Sequence, residues 1–236
     1  MDGQIQSRYE IDLDPKPNLV SLPTVRRQTL RRQSIDESLK RAIDVIGALA
    51  VLILLLPIFV LLALLIAQDG GPVLYRHERV GKNGRPFGCL KFRTMAADAQ
   101  ARLEQYLSSD PEAMDEWKRD HKLRFDPRVT YLGAYFRKTS LDELPQFWNV
   151  LLGDMSLVGP RPVTRIEMRD RYGPHADVVT SVRPGVTGVW QISGRNDISY
   201  EERVAMDVHY VHSRSLLIDL GILFQTIPCL LSRNGR

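Results

Sequence analysis

Twenty consecutive residues, Ala48 to Ala67, carry no charge and are nearly all aliphatic. A straight helix of that length matches a bilayer hydrocarbon core of ~30 Å. Pro57 falls in the middle of the run. A proline inside a helix removes a backbone hydrogen bond and kinks the chain, leaving two arms of about ten residues, each too short to span alone. The flanks add a second constraint. Six basic residues lie between Arg26 and Arg41, and six more follow at Arg76, Arg79, Lys82, Arg85, Lys91 and Arg93. Lys and Arg accumulate on the cytoplasmic side of a membrane segment, and here both flanks qualify equally. A helix that enters, bends at Pro57 and leaves by the same face satisfies both observations. A simple span is the alternative, since membrane helices tolerate proline. The run starts too deep in the chain, with no small-residue cleavage pattern behind it, to read as a cleavable signal peptide.

Residues 1–35 read as a flexible tail, broken by Pro15, Pro17 and Pro23, with a basic run at Arg26, Arg27, Arg31 and Arg32. Next to an apolar segment, that run fits a patch drawn to anionic lipid. Ser34 and Glu37 have capping-box spacing and predict a helix start at Ser34. Residues 36–69 then form the membrane helix and residues 70–236 the catalytic domain. Asp69-Gly70-Gly71-Pro72 breaks the chain. Val73 to Tyr75 and Phe87 to Phe92 read as a strand pair joined by a turn at Gly81 to Gly84. Residues 95–122 read as amphipathic helix interrupted at Asp110-Pro111. A helix follows Ser140 and ends near Gly153. Loops are expected over Gly159 to Pro162 and Arg183 to Arg195, then a helix over Tyr200 to His212. The apolar stretch 215–231, interrupted by Asp219 and Pro228, fits a helix resting in a membrane interface.

The net charge of +4 and a pI of about 9.1 admit nucleic acid, anionic lipid or a phosphorylated substrate. No zinc-finger spacing, aromatic RNA-binding motif or basic zipper is present, so nucleic acid is not an expected partner. Cys89 and Cys229 belong to no CxxC pair and read as packed thiols in a reducing compartment.

Chemistry concentrates around Ser140-Leu141-Asp142-Glu143-Leu144-Pro145. On spacing alone, Ser140 and Glu143 form a capping box and the acidic residues suit a helix N-terminus. The surroundings change that reading. Arg128, Arg137, Arg161, Arg183 and Arg195 cluster around the pair in sequence, most of them beside Pro or Gly on stiff backbone. Planar guanidinium forks held in this way match phosphate oxygens. Adjacent carboxylates suit Mg²⁺. Carboxylates, a divalent cation and arginines together supply the charge neutralisation that phosphoryl transfer needs. No Walker loop or dinucleotide fingerprint is present. His209 and His212 have metal-like spacing but no third ligand to complete a site, and Trp148 and Trp190 read as packing residues.

Ordered motifs extend this further: Lys40-Arg41-x-x-Asp44, Gly71-Pro72-Val73, Arg79-Val80-Gly81, Lys91-Phe92-Arg93-Thr94-Met95, Asp126-Pro127-Arg128-Val129-Thr130, Ser140 to Gln146, Gly153 to Pro162, and Arg183 to Gly188. With these, residues 37–236 resemble the bacterial sugar transferases, the monotopic phosphoglycosyl transferases. The resemblance implies an α+β fold: mostly helical, membrane-associated and monotopic. It has a re-entrant helix kinked at Pro57, a small β-hairpin and amphipathic interfacial helices. It implies that Asp142 attacks the sugar-proximal phosphate of a UDP-sugar, expels UMP, and passes the phosphosugar to undecaprenyl phosphate. Mg²⁺ would sit at Asp142 and Glu143. Arg137, Arg161 and Arg183 would contact phosphate, with Arg128, Arg195, Lys91 and Arg93 completing the set. The chain resembles compact transferases that start exopolysaccharide repeat units with glucose or galactose phosphate. These work at the cytoplasmic face of the bacterial inner membrane, and a homodimer is compatible with the sequence. Where the family often has Ser-Pro at the kink, this chain has Leu56-Pro57. Two rivals stand beside this reading: a glycosyltransferase acting on a lipid acceptor with no covalent intermediate, and a non-catalytic scaffold for polysaccharide assembly.

Overall fold

The computed structural model describes residues 23–68, 70–120, 123–193 and 198–231, with side chains over 37–68, 70–118, 123–193 and 198–229. The chain divides into two units, Met1–Glu37 and Ser38–Arg236; of the first, residues 23–37 are helical.

Helices α1 (Pro23–Leu54) and α2 (Leu56–Ala67) meet at a bend of 63°. Leu55 is the joint. Pro57 occupies the first turn of α2, where a missing N–H breaks no helical bond. The kink expected at Pro57 is therefore present. The helix start expected at Ser34 is not: α1 already runs from Pro23, so Ser34 and Glu37 lie within it. Pro23 is preorganised for a first helical turn, and the Arg, Gln and Leu residues after it are good helix formers. The side chains of the basic run Arg26 to Arg32 lie outside the described residues.

Among the described residues no single helix is long and apolar enough to cross a membrane; the bent pair is, by length and composition. Only Leu62 and Ile66 of α2 are buried, while Ile53, Leu54, Leu56, Val60, Leu61 and Leu64 are each more than half exposed. A contiguous apolar surface of this kind marks a membrane or partner contact.

Strands β1 (Leu74–Val80) and β2 (Pro86–Phe92) form an antiparallel hairpin, paired from Leu74↔Phe92 to Val80↔Pro86. Asn83 and Gly84 turn it in the left-handed region, at φ 57° and 73°. β1 extends to Val80 rather than stopping at Tyr75, because one face of the hairpin is solvated and tolerates Arg76 and Glu78. Helices α3 (Ala99–Ser109) and α4 (Pro111–Asp120) break where expected; the Asp110 carboxylate accepts the Ala113 N–H at 3.0 Å and Pro111 opens α4.

Then come α5 (Tyr131–Thr139), α6 (Gln146–Leu152), β3 (Ser156–Val158), α7 (Arg165–Glu167, continued as a π turn to Tyr172), α8 (Ala176–Thr180), β4 (Gly185–Thr187), α9 (Val189–Ile192), α10 (Tyr200–Ser213) and α11 (Leu216–Leu231). β3 and β4 pair in parallel, with Ser156 opposite Gly185 and Val158 opposite Thr187. The span expected as loop from Arg183 therefore contains a strand and the short helix α9. Such short elements hold through partners distant in sequence, not through local periodicity.

The main core joins Ala48 of α1, Cys89 of β2, Val150 of α6, Leu157 and Val158 of β3, Tyr210 of α10 and Ile222 of α11. A second cluster packs Leu62 and Ile66 of α2 against Phe92 and Phe136, with Leu141 and Leu144 at its edge. The third joins Val163, Met168, Tyr172, Val179 and Val204. Asp219 is no interruption of α11: it is buried, accepting Lys40 Nζ at 2.6 Å and the Tyr210 hydroxyl at 2.7 Å.

Candidate active site

The segment carrying Asp142 and Glu143 is set by two helix ends. Thr130 caps α5 by accepting the Gly133 N–H at 2.9 Å. Gly133 lies so close to the Thr94 carbonyl that a Cβ there would collide with backbone. α5 ends at Ser140, which takes the left-handed conformation at φ 57°. The expected Ser140–Glu143 capping box is therefore absent: Ser140 closes the preceding helix and makes no side-chain cap. A single 3₁₀ turn, Leu141–Glu143, follows. Leu141 of this turn and Leu144 after it pack against the cluster of Leu62, Ile66, Phe92 and Phe136. The acidic pair thus lies between apolar anchors that share a cluster with the C-terminal half of α2.

Asp142 is 7% exposed. Among the described residues, its carboxylate takes a hydrogen bond from its own backbone N–H alone. Lys91 Nζ lies 3.8 Å from Asp142 Oδ2, too far for a good hydrogen bond, and 2.7 Å from Glu143 Oε1. Burial pushes the Asp142 carboxyl above the usual carboxylate range. The Glu143 charge adds to this, while Lys91 and Arg137 oppose it.

Lys91 is held by a clamp on its strand. Asn149 of α6, 1% exposed, accepts the Leu90 N–H through Oδ1 at 2.8 Å. Its Nδ2 donates to the Gly88 carbonyl at 2.9 Å and to Asp154 at 3.2 Å. The amide acts as a substitute strand edge along β2 and fixes the register that points Lys91 at the acidic pair. Nothing local in the sequence distinguishes Asn149 from a helix-surface amide.

The arginines separate into different roles. Arg93 donates to the Ile66 carbonyl at 3.0 Å, at the C-terminus of α2. Arg128 makes a two-pronged pair with Asp126 at 2.8 and 2.6 Å and stacks on Trp117. Arg137 Nε donates to Thr94 Oγ1 at 2.9 Å, and its charge is felt at Asp142. Arg183 Nε donates to the Gly153 carbonyl at 2.7 Å, just past α6. Arg41 closes the same helix end through the Val150 and Leu151 carbonyls at 2.6 and 3.0 Å. Gly153 turns the chain away at φ 92°. Arg161 differs from all of these. Its guanidinium lies over the Trp190 ring at 5.2 Å and makes no direct hydrogen bond or ion pair with a carboxylate or carbonyl among the described residues. Arg195 lies outside the described residues.

The face of the hairpin that carries Lys91 also carries His77, Arg79 and Cys89, since cross-strand pairs share a face. Arg79 donates to Glu167 at 3.0 Å and to His77 Nδ1 at 3.3 Å. A guanidinium can only donate, so Nδ1 is the acceptor and the His77 proton sits on Nε2. Burial, then the Arg79 and Lys91 charges, hold His77 below its usual pKa and neutral. Cys89 sits beneath them; burial pushes its thiol up to about 11, which makes it an inert packed group. Lys91, Glu143, Arg79 and Arg161 all act electrostatically on that thiol. Lys91 and Arg79 share this face of the hairpin, and Glu143 reaches it through its ion pair with Lys91. Arg79 and His77 were not among the site residues expected from sequence; the Arg79-Val80-Gly81 motif was the available signal.

Trp190 is buried, and Trp148 is half exposed on α6. His209 and His212 are exposed. Among the described residues no group of three or more His, Cys, Asp or Glu side chains is placed to hold a metal unaided.

Comparison with known proteins identifies the family. A model of the family described as bacterial sugar transferase matches residues 31–233. A UDP-galactose-lipid carrier transferase of Erwinia amylovora is 53% identical over 197 residues, covering 84% of this chain and 41% of the relative. An undecaprenyl-phosphate galactose phosphotransferase of Salmonella typhimurium is 47% identical, covering 84% of this chain and 41% of that protein. The chain thus spans about two fifths of the length of these two relatives. The exopolysaccharide production protein ExoY of Sinorhizobium fredii is 50% identical over 83% of this chain and 87% of its own length. With the family model covering the hairpin, the acidic turn and Arg161 alike, the chain is a member of the bacterial sugar transferase family.

Proposed function

We propose that this protein transfers a sugar 1-phosphate from a UDP-sugar to a polyprenyl phosphate, with Asp142 as the nucleophile. One observation carries the reading: a buried, under-solvated carboxylate faces a lysine ammonium at the exit end of an exposed apolar helix pair. A nucleotide-sugar can reach such a carboxylate from water, and a lipid phosphate from the bilayer.

In the first step Asp142 Oδ attacks the sugar-bearing phosphorus. The bond to the bridging oxygen breaks, and UMP leaves with the electron pair. In the second, a phosphate oxygen of the lipid attacks the same phosphorus and Asp142 leaves as carboxylate. Covalent catalysis by a carboxylate splits one difficult displacement into two. Arg161 is positioned to take phosphate charge, because its guanidinium is oriented by Trp190 and makes no direct ion pair among the described residues. Lys91 balances the charge of Asp142 and Glu143 in the resting site. The donor set fits Mg²⁺: two adjacent carboxylates already share one cation, and phosphate and water would complete the sphere. Asp142 and Glu143 would hold the ion, which would neutralise charge on the transferring phosphate.

The exposed flank of α1 and α2, bent by 63°, supports a re-entrant membrane hairpin, with the acidic pair on the face the chain returns to. Names of relatives support undecaprenyl phosphate as acceptor, galactose or glucose phosphate as cargo, and exopolysaccharide production as the setting. The protein in lipid nanodiscs with undecaprenyl phosphate should release UMP from at least one member of a panel of UDP-sugars. No release from any of them contradicts the proposal. Cysteines introduced at positions 36 and 70 should label from the same membrane face; opposite faces contradict the hairpin.

A further inference from the structure

We infer that Asp207, outside every motif that pointed to the site, is the positioning residue that holds Arg161 in its phosphate-binding pose. The inference rests on the reading of Arg161 as a phosphate contact.

Asp207 lies on α10 and is 1% exposed. A fully buried carboxylate needs hydrogen bonds to offset lost hydration, and each one it makes becomes a fixed point of the structure. The Tyr172 hydroxyl, from the π turn that prolongs α7, donates to Oδ2 at 2.8 Å. The backbone N–H of Arg161 faces the same carboxylate and favours its ionised form. Arg161 lies between Pro160 and Pro162, two residues without an N–H. Its own amide is therefore the sole backbone donor through which those three residues can be tied down. Asp207 takes it.

The guanidinium end is fixed independently. Arg161 lies 5.2 Å from the Trp190 ring centroid; Arg203, one turn before Asp207 on α10, lies 4.8 Å from the same ring. Arg203 is also 6.0 Å from Tyr200, which carries Arg171 at 5.2 Å. Tyr200 packs edge-on to Tyr172, with ring centroids 6.2 Å apart. Backbone anchor and aromatic stack thus close into one frame: Asp207, Tyr172, Tyr200, Arg203, Trp190, Arg161. A side chain locked at both ends presents its fork without an ordering cost when an anion arrives.

The carboxylate is also a control point. Burial raises its pKa to about 7, against the opposing effects of the Tyr172 hydrogen bond, the Arg161 amide and the Arg161 charge. The ionised form binds the Arg161 amide and attracts its guanidinium. Protonation as pH falls through 7 weakens both, so donor affinity falls toward acid pH.

The test uses the full chain in nanodiscs and two readouts: UDP affinity by calorimetry, and KM and kcat for the UDP-sugar from pH 5.5 to 8.5. Asp207→Asn keeps an acceptor but removes the charge. It should weaken UDP binding and raise KM about tenfold at pH 8, with kcat within about twofold, and abolish the rise of KM below pH 7. Tyr172→Phe keeps the charge and loses one donor, so the KM rise should move to higher pH. If folded Asp207→Asn binds UDP as wild type does and keeps its KM profile, the inference is overturned and Asp207 is a packing residue. If wild type does not bind UDP, both the inference and the reading of Arg161 fail. If wild type binds UDP but releases no UMP from any UDP-sugar, the transfer reading fails while the affinity comparison still decides the role of Asp207.

Discussion

Asp44 and Asp142 are both buried carboxylates, and the structure treats them in opposite ways. Asp44, on α1, accepts the Ser156 hydroxyl and the Leu157 N–H at 3.0 Å each, with Lys40 at 3.7 Å. Asp142 has a lysine at 3.8 Å and its own backbone amide. A buried charge surrounded by donors is a fixed part of a scaffold. A buried charge with few donors is costly to the fold and is kept where that cost serves chemistry. In Asp44 the cost is offset, tying α1 to β3; in Asp142 it is left standing.

The largest expected effect separates the two at once. Asp142→Asn should lower turnover at least about 10³-fold, as loss of a covalent nucleophile does. Its stability should move the other way. The folded pKa of Asp142 is raised, so the penalty for the ionised form is present above that pKa and absent below the unfolded value. Removing the charge should leave thermal stability at pH 8 equal to wild type or higher. Asp44→Ala should show the reverse pattern in denaturant unfolding, losing about 3 kcal/mol by stranding a hydroxyl, an amide and a lysine. A stability loss of similar size in both variants would erase the distinction.

Asn149→Ala comes next. Losing the clamp on Gly88 and Leu90 should cost about 2 kcal/mol in the same unfolding assay, and turnover should fall with it as Lys91 loses its register. Lys91→Met sharpens the electrostatics. Lys91 lowers the Asp142 pKa, so removing it should shift the acid limb of the rate profile to higher pH as well as lowering the rate. The smallest effect belongs to Arg102→Ala. Its pair with Asp98 is solvent-exposed, and a thermal melt should register no more than about 0.5 kcal/mol.

Much of the fold was legible because its signals are local. Pro57 announced the bend, Asp110-Pro111 the break between α3 and α4, and Gly81 to Gly84 the hairpin turn. The acidic pair was legible too, yet the local rule that first explained it was mistaken. Ser140 looks like the start of a helix in sequence and is the end of one in space, because α5 closes there on a left-handed residue and a separate 3₁₀ turn intervenes before α6. The arginines look alike in sequence and are not alike. Arg128 finds a carboxylate two residues away, Arg183 a carbonyl thirty away, and Arg161 an indole. Asn149 and Asp207 gave no signal, since each acquires its role from partners on other elements. Positions decided by long-range partners cannot be read from spacing; positions decided by backbone restriction can.

The account turns on whether Asp142 becomes covalently bonded to phosphorus. The protein, incubated with an accepted UDP-sugar and no lipid acceptor, then acid-quenched and digested, can be examined by mass spectrometry. A sugar-phosphate mass on the peptide containing Asp142, removed by adding polyprenyl phosphate and absent from Asp142→Asn, is the predicted result. UMP release that requires both substrates together, with no adduct on Asp142, would contradict it.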